Sequence, residues 1–534
     1  MIKNKIIYVA VILILIIVSF FGYKLIRKMI IINNNSNNNF NNNITNPIMV
    51  PNKPVLGQNS RRRFAIDHFS PRPEHFNLIK SLDGMLLEWG GGAITVWGAI
   101  EPKPPINGVS NYLGLNNLDE RQKQFFNSFV QSGFRLSAHV EFLRNNWALE
   151  QSNDVMVVSP ETGERFPGFI RIKPEYHKTW QNFIKYYLTT FPNIDYLQID
   201  NEPENVWVNS EGYVEAVRLA YEAVGEYNSE NNRNVKLKVA GFALSPDILS
   251  IREDIKMYVY ENHPNIDFNY IRKELKIPQS IDNRQIFHTS QKIHMVMSIL
   301  LLNNPPFDIV TIHNDWSQDY DEAKVVLSWY KNLMNKSGYE RPIYIDDMHT
   351  GYYPKVTFNP TPEDQKIYSG LRDGNQNIIN QYIKAHSAWL VRKSVFNFAA
   401  GAEMVQLAPF FDVPNYHMPT WRYVGLFTTD LKPKPSFYTA KLLMNKIDYF
   451  ETVKRIKDDI YKFTFKDKGD VYVAWNDSGN TTIDLTSEFG NANVKITFLI
   501  NEVDSKHNPI IRESIVMPTN RIPLTKEPVF IEKY

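Results

Sequence analysis

Hydrophobic and polar positions along this chain follow four successive patterns. Ile6 to Tyr23 is an 18-residue run without a charge, with Lys3 and Lys5 before it and Lys24, Arg27 and Lys28 after it. No amphipathic stripe divides the run, and its length reaches the lower limit for crossing a bilayer, so a transmembrane helix is expected within residues 1–32. It lacks a small-residue cleavage site of the Ala-x-Ala kind, which favours an uncleaved anchor over a signal peptide. Asn33 to Asn43 is asparagine apart from Ser36 and Phe40, and Pro47, Pro51 and Pro54 follow. Such a stretch has too little apolar surface to offset the entropy of ordering it, so residues 33–59 read as a flexible linker.

From Phe64 the pattern alternates short β-rich runs with longer amphipathic ones. The strands expected are Phe64 to Asp67, Ala93 to Trp97, Arg135 to Val140, Tyr196 to Asp200, Val235 to Gly241, Asp308 to His313, Pro342 to Asp346 and Ala402 to Leu407. Helical stretches such as Glu120 to Gln131, Tyr176 to Thr190, Ser210 to Tyr227 and Tyr320 to Lys336 separate them. Eight such repeats predict an α/β fold, a (β/α)8 TIM barrel over residues 60–447. An open doubly wound sheet is the rival, but no Gly-x-Gly-x-x-Gly follows the first strand. Past Ser436 to Ile447 the periodicity shortens to turn-separated alternating runs, from Tyr461 to Phe465 through Pro528 to Glu532. These predict a small C-terminal β-sandwich over residues 448–534.

Composition changes this picture little. Of 534 residues 43% are hydrophobic and 22% charged, an ordinary globular balance with ample core. The formal charge of +2 gives no reason to expect a nucleic-acid partner. With no cysteine there is no thiol nucleophile and no thiolate metal site, so any covalent chemistry must use oxygen or nitrogen.

The candidate chemistry gathers at strand ends. Tyr196-Leu197-Gln198-Ile199-Asp200-Asn201-Glu202-Pro203 reads as a buried strand that closes on a polar tip. Pro203 withdraws a backbone donor and is expected to hold Glu202 extended at the mouth of the sheet. A carboxyl at the carboxyl end of a barrel strand is placed to act as a general acid. Trp97, Trp207, Trp316 and Trp421 lie near strand ends as candidates for stacking on sugar rings, and Trp316 is the best placed, in the loop beside His313.

Taken in order, Trp97-Gly-Ala-Ile-Glu101-Pro102, Asp200-Asn201-Glu202-Pro203, His313 and Pro342-Ile343-Tyr344-Ile345-Asp346-Asp347 resemble the large clan of retaining glycoside hydrolases with a TIM barrel. Gly425-Leu426-Phe427 and Lys432 to Tyr438 before a β-sandwich are similar to its β-xylosidase-like and cellulase-like members. The resemblance covers about residues 64 to 534. It implies that Glu202 is the acid/base and that Asn201 binds the sugar 2-hydroxyl. The clan carries a glutamate nucleophile at the end of the seventh strand, and by register that position here is Asp347. Its carboxyl is one methylene shorter, in a chemistry that needs the two carboxyl groups about 5 to 5.5 Å apart. Asp346, its neighbour, is expected on the other face of the strand.

The expected function is hydrolysis of O-glycosidic bonds in a polysaccharide or oligosaccharide by a membrane-anchored protein whose globular part is extracytoplasmic, with no cofactor. The partners expected are a carbohydrate substrate and the membrane. Two alternatives stay open. A catalytically impaired glycan-binding module would explain the departure at Asp347. A metal-dependent hydrolase would use His313, Asp315, Asp346, Asp347 and His349.

Overall fold

The computed structural model describes residues 62–534 apart from 68–74, 83–85, 90–94, 117–119, 144, 159–164, 278, 280, 355–360 and 417. The apolar run Ile6 to Tyr23 and the asparagine tract lie outside the described residues. Within them, no helix is long and apolar enough to cross a membrane.

Eight parallel strands close into a barrel. They are β1 (Phe64–Asp67), β2 (Leu86–Trp89), β3 (Arg135–Val140), β6 (Ile194–Ile199), β7 (Lys236–Phe242), β8 (Ile309–Ile312), β9 (Ile343–His349) and β10 (Met404–Ala408), with β1 paired to both β2 and β10. Between the third and fourth barrel strands an antiparallel hairpin, β4 (Leu149–Val158) and β5 (Arg165–Ile172), is inserted. Its polar segment Glu150 to Asp154 shows no apolar alternation, which left it without a sequence signal.

One expected strand is corrected. Trp97–Ile100 is a single helical turn, and the second barrel strand lies upstream at Leu86–Trp89. The run is apolar and β-branched, but Trp97 is drawn out of the ladder into a cluster with Phe142, Trp147, Trp180 and Phe183. A short apolar run cannot by periodicity alone be told from a buried helical turn.

The strand periodicity sorts the barrel wall. Leu197, Ile199, Leu237, Val239, Val310, Ile312, Ile343 and Ile345 belong to the main apolar core, which they share with the surrounding helices. The alternate residues face inward. Tyr196 and Tyr344 meet edge to face at 6.1 Å near Ala65, Ile309 and Met404. One layer up the interior turns polar: Thr311 donates to Gln198 Oε1 at 3.1 Å, and Lys238 stands 3.9 Å from Asp346. Buried polar groups persist there because they satisfy one another.

Helix Pro435–Ile447 follows the barrel and leads to β11 (Thr452–Lys457), β12 (Ile460–Thr464), β13 (Val471–Ala474), β14 (Thr481–Ile483), β15 (Asn493–Phe498), β16 (Ile515–Pro518), β17 (Ile522–Leu524) and β18 (Val529–Lys533). Six form one sheet in the order β11-β12-β13-β18-β15-β16, and β14 pairs with β17. Alternation gives the larger sheet two apolar faces. Tyr461, Phe463, Val471, Val473 and Phe530 join the core shared with the barrel, where Tyr461 and Trp475 stack at 5.3 Å against Phe396. Ile460, Tyr472, Val494, Ile496 and Ile531 face Leu485, Ile522 and Leu524 of the smaller layer.

Candidate active site

The mouth of the barrel is built where the strands lose their regular backbone. Asp200, Glu202 and Asp347 have φ of 65°, 47° and 53°, in the left-handed region that side chains with a Cβ seldom occupy. Each such residue costs on the order of 1–3 kcal/mol unless its surroundings hold it, and such residues concentrate at functional sites.

Glu202 is therefore not extended, as its place before Pro203 had implied. Its φ of 47° and ψ of 53° put it at the N-cap of the short helix Pro203–Val206. Two side chains fix it there: Asn205 Nδ2 donates to Oε2 at 2.7 Å, and His313 Nδ1 meets Oε1 at 3.0 Å. These contacts outweigh the steric preference that proline imposes on its neighbour.

His313 stands just past β8 with 2% of its side chain exposed. Its ring lies over Gly241 of β7, where a Cβ would come within 2.1 Å of Nε2 and 2.6 Å of Cδ2, so only glycine leaves room for it. Burial alone would lower the imidazole pKa. The hydrogen bond and charge of Glu202, with the charges of Asp347 and Asp346, reverse this and push it up to about 10. For Glu202 burial acts upward, but the His313 contact prevails and holds the carboxyl below its ordinary value. Near neutral pH the two form an ion pair that holds one proton between them.

The seventh strand differs from its expected register. Ile345 pairs with Val405 and Met348 with Leu407, so β9 carries one more residue than β10 between these points. That bulge contains Asp346 and Asp347. Asp346 shares the inward parity of Tyr344 and faces Lys238 in the barrel interior. Lys238 and His313 hold its carboxyl below the ordinary value against the effect of burial. Asp347, turned by its left-handed backbone, is half-buried and close enough to act on His313 as well. Both acids of the bulge thus act on the same histidine.

The other candidates divide. Asn201 is half-buried beside Glu202, and its backbone N–H donates to Asp200 Oδ1 at 3.0 Å. Trp316 is half-buried at the mouth and meets Tyr353 edge to face at 6.0 Å. Trp97 and Trp207 are fully buried and cannot stack on a ligand. The Trp97 indole donates to Glu101 Oε2 at 2.8 Å, and the Trp207 indole to Asp200 Oδ2 at 2.6 Å. Trp421 is also buried, against His349 and Tyr416.

The five residues of the metal alternative lie near one another but do not converge as ligands. Asp315 Oδ1 accepts the backbone N–H of His349 at 2.8 Å, and the His349 ring donates to the Gly351 carbonyl at 3.2 Å. Among the described residues no three His, Cys, Asp or Glu side chains converge as a metal would need.

Several residues of the site had no sequence signal. Asn205 needed the helical turn to come round to Glu202. Glu204 is fully buried two residues beyond it, with Oε1 accepting the backbone N–H of Ala243 at 2.7 Å. Burial pushes both Glu204 and Asp200 up to about 7. Lys393, from helix Gln376–Ala400, donates to the carbonyls of Asp315 at 2.6 Å and His349 at 3.0 Å, tying the sixth and seventh strand ends together.

No protein-family model and no curated protein sequence matches the chain. Solved structures do. A family 39 glycoside hydrolase from Bacteroides cellulosilyticus WH2 superposes with a TM-score of 0.52 at 11% identity, over 89% of this chain and 82% of that one. A glucosidase from Croceicoccus marinus gives 0.50 at 8% identity, over 88% of this chain and 95% of that one. At these identities the likeness is one of fold. The chain shares the fold of TIM-barrel glycoside hydrolases.

Proposed function

We propose that the protein hydrolyses O-glycosidic bonds in a polysaccharide or oligosaccharide, with Glu202 as acid/base and Asp347 as nucleophile. The observation that carries this is the Glu202–His313 pair, a proton held at the carboxyl end of the fourth barrel strand with Asp347 near the same histidine. A glycosidic oxygen leaves readily only when protonated, and the pair has the proton to give. In this mechanism Asp347 attacks the anomeric carbon as Glu202 protonates the departing oxygen. Water then attacks the glycosyl ester, giving its proton to Glu202 and freeing Asp347. Asn201 meets the sugar 2-hydroxyl, and Trp316 supplies an apolar ring face.

The first 59 residues, by the same proposal, anchor the protein in a membrane and hold the catalytic body at its extracytoplasmic surface. The bulge at Asp346 and Asp347 supports the enzyme over the binding module, since a turned backbone can offset the missing methylene. The test is a pair of substrates. Glu202→Gln should slow cleavage of a glycoside with a poor leaving group at least a hundredfold more than one bearing dinitrophenolate, which departs unprotonated. Equal losses on both would refute the assignment.

A further inference from the structure

Glu204 is a buried acid that the proposed mechanism does not use. Its side chain is fully enclosed, and only Oε1 is occupied, by the Ala243 N–H at the end of the fifth barrel strand. Oε2 has no hydrogen-bond partner, and neither has the equally buried Tyr330 hydroxyl, whose proton the Glu204 charge helps retain. A carboxyl in a dry site costs stability unless something holds it.

Its position gives it two connections to the mouth. The short helix Pro203–Val206 carries Glu202 at its N-cap and Glu204 in its first turn. The Ala243 bond fastens that turn to the end of the neighbouring strand. The charge of Glu202 acts on Glu204, an effect that Coulomb's law makes mutual, and Lys292 of helix Asn283–Leu300 acts on both. The groups around Glu204 are thus Glu202 on its own turn, Lys292 and Tyr330 from two helices, and from β7 the backbone donor that follows it. On β4, Glu150 is exposed and paired to Arg171.

We propose that Glu204 is a positioning residue for Glu202, clamping the acid-bearing turn to the fifth strand and using its negative charge to help the Glu202–His313 pair keep its proton. This rests on the assignment of Glu202 as the acid. A negative charge close by opposes loss of a proton from the pair, so ionised Glu204 extends the pH range over which the proton is held. Glu204→Gln keeps an acceptor for Ala243 and removes the charge. Glu204→Leu removes both.

The experiment is the pH profile of kcat/KM on a glycoside with a poor leaving group. For Glu204→Gln the alkaline limb should move to lower pH by about half a unit or more. For Glu204→Leu, kcat should fall at least tenfold at every pH, because the turn is no longer clamped. An alkaline limb that stays in place in Glu204→Gln would overturn the proposal, since a merely structural acid would change stability and not the limb. Carboxyl titration by carbon-13 NMR of the uninhibited protein gives a readout independent of turnover. Glu202 and Glu204 should titrate in linked steps, and Glu204→Gln should shift the Glu202 step downward. If that shift is seen and no glycoside is cleaved, the coupling stands and the enzyme assignment fails. If glycosides are cleaved and neither shift is seen, the coupling fails alone.

Discussion

The Glu202 carboxyl and the His313 imidazole, 111 positions apart in the chain, meet at 3.0 Å across the mouth of the barrel. The contact depends on backbone features of three strands: the left-handed turn at Glu202, the end of β8 at His313 and the missing Cβ at Gly241. It joins a buried imidazole and a half-buried carboxyl into a single unit that holds one proton between them.

Replacing His313 with Gln leaves the half-buried Glu202 without its cation. The proton held by the pair is then held by a lone carboxyl, which burial keeps above the ordinary range but far below the about 10 of the imidazole. His313→Gln should lose more activity at pH 8 than at pH 5.5, with a total loss near neutral pH on the order of 10²- to 10⁴-fold. Gly241→Ala should give a milder form of the same change, because its Cβ displaces the ring. In the double variant the second substitution should add little, and additive losses would show that the two do not act through one contact.

The pH dependence of stability follows from the raised acids. Glu204 is pushed up to about 7 by burial, above its ordinary value, so between about pH 4.5 and 7 the folded protein keeps a proton that the unfolded chain has lost. Its contribution therefore falls as pH rises through that window, by up to about 3 kcal/mol. Asp200, also raised to about 7, acts in the same direction. His313 holds its proton until about pH 10, so its favourable contribution is full below pH 6.5 and fades above. Urea unfolding at pH 5 and pH 8 should show Glu204→Gln gaining relative to the unaltered protein only at the higher pH.

The tryptophans separate packing from recognition. Trp207→Phe removes the donor to buried Asp200 and should cost about 1–3 kcal/mol in urea unfolding, with KM little changed. Trp316→Ala should do the reverse, raising KM and leaving stability within about 0.5 kcal/mol. A KM effect from Trp207 as large as that from Trp316 would return it to the sugar-contacting set.

Sequence pattern reached most of the barrel because its wall obeys one rule, alternation of helix-facing aliphatics with inward polar or aromatic residues. Tyr196-Leu197-Gln198-Ile199 and Ile343-Tyr344-Ile345-Asp346 follow it residue by residue. The rule fails where the site begins. A period-two reading assigns Asp346 and Asp347 to opposite faces, and only the register against β10 exposes the extra residue. The contacts that hold Glu202 could not be read either, because Asn205 and His313 reach it through a turn whose backbone proline chemistry disfavours. Trp97 and Trp207 show a different limit. A tryptophan near a strand end carries no mark in the sequence that tells a ligand platform from a buried wedge, and here the donor each indole gives to a buried acid decides for packing.

The anchor is tested in membranes. Full-length protein should remain in the membrane fraction through a wash of about 1 M salt, which weakens charge attraction and leaves hydrophobic insertion in place. The chain from Ser60 onward should be recovered in solution and folded. Release of the full-length protein by salt alone would contradict the spanning helix.

The most direct measurement of the central claim is to trap the glycosyl ester. Dinitrophenyl 2-deoxy-2-fluoro glycosides lack the 2-hydroxyl contact that strengthens in the transition state but carry an activated leaving group, so ester formation can outrun its hydrolysis. With a panel of gluco-, xylo- and galacto-configured reagents, peptide mass spectrometry should find one fluoroglycosyl group on Asp347 and none in Asp347→Asn. A label on Asp346 or another acid, or turnover to product of inverted configuration without any label, would contradict the assignment of Asp347 as the nucleophile.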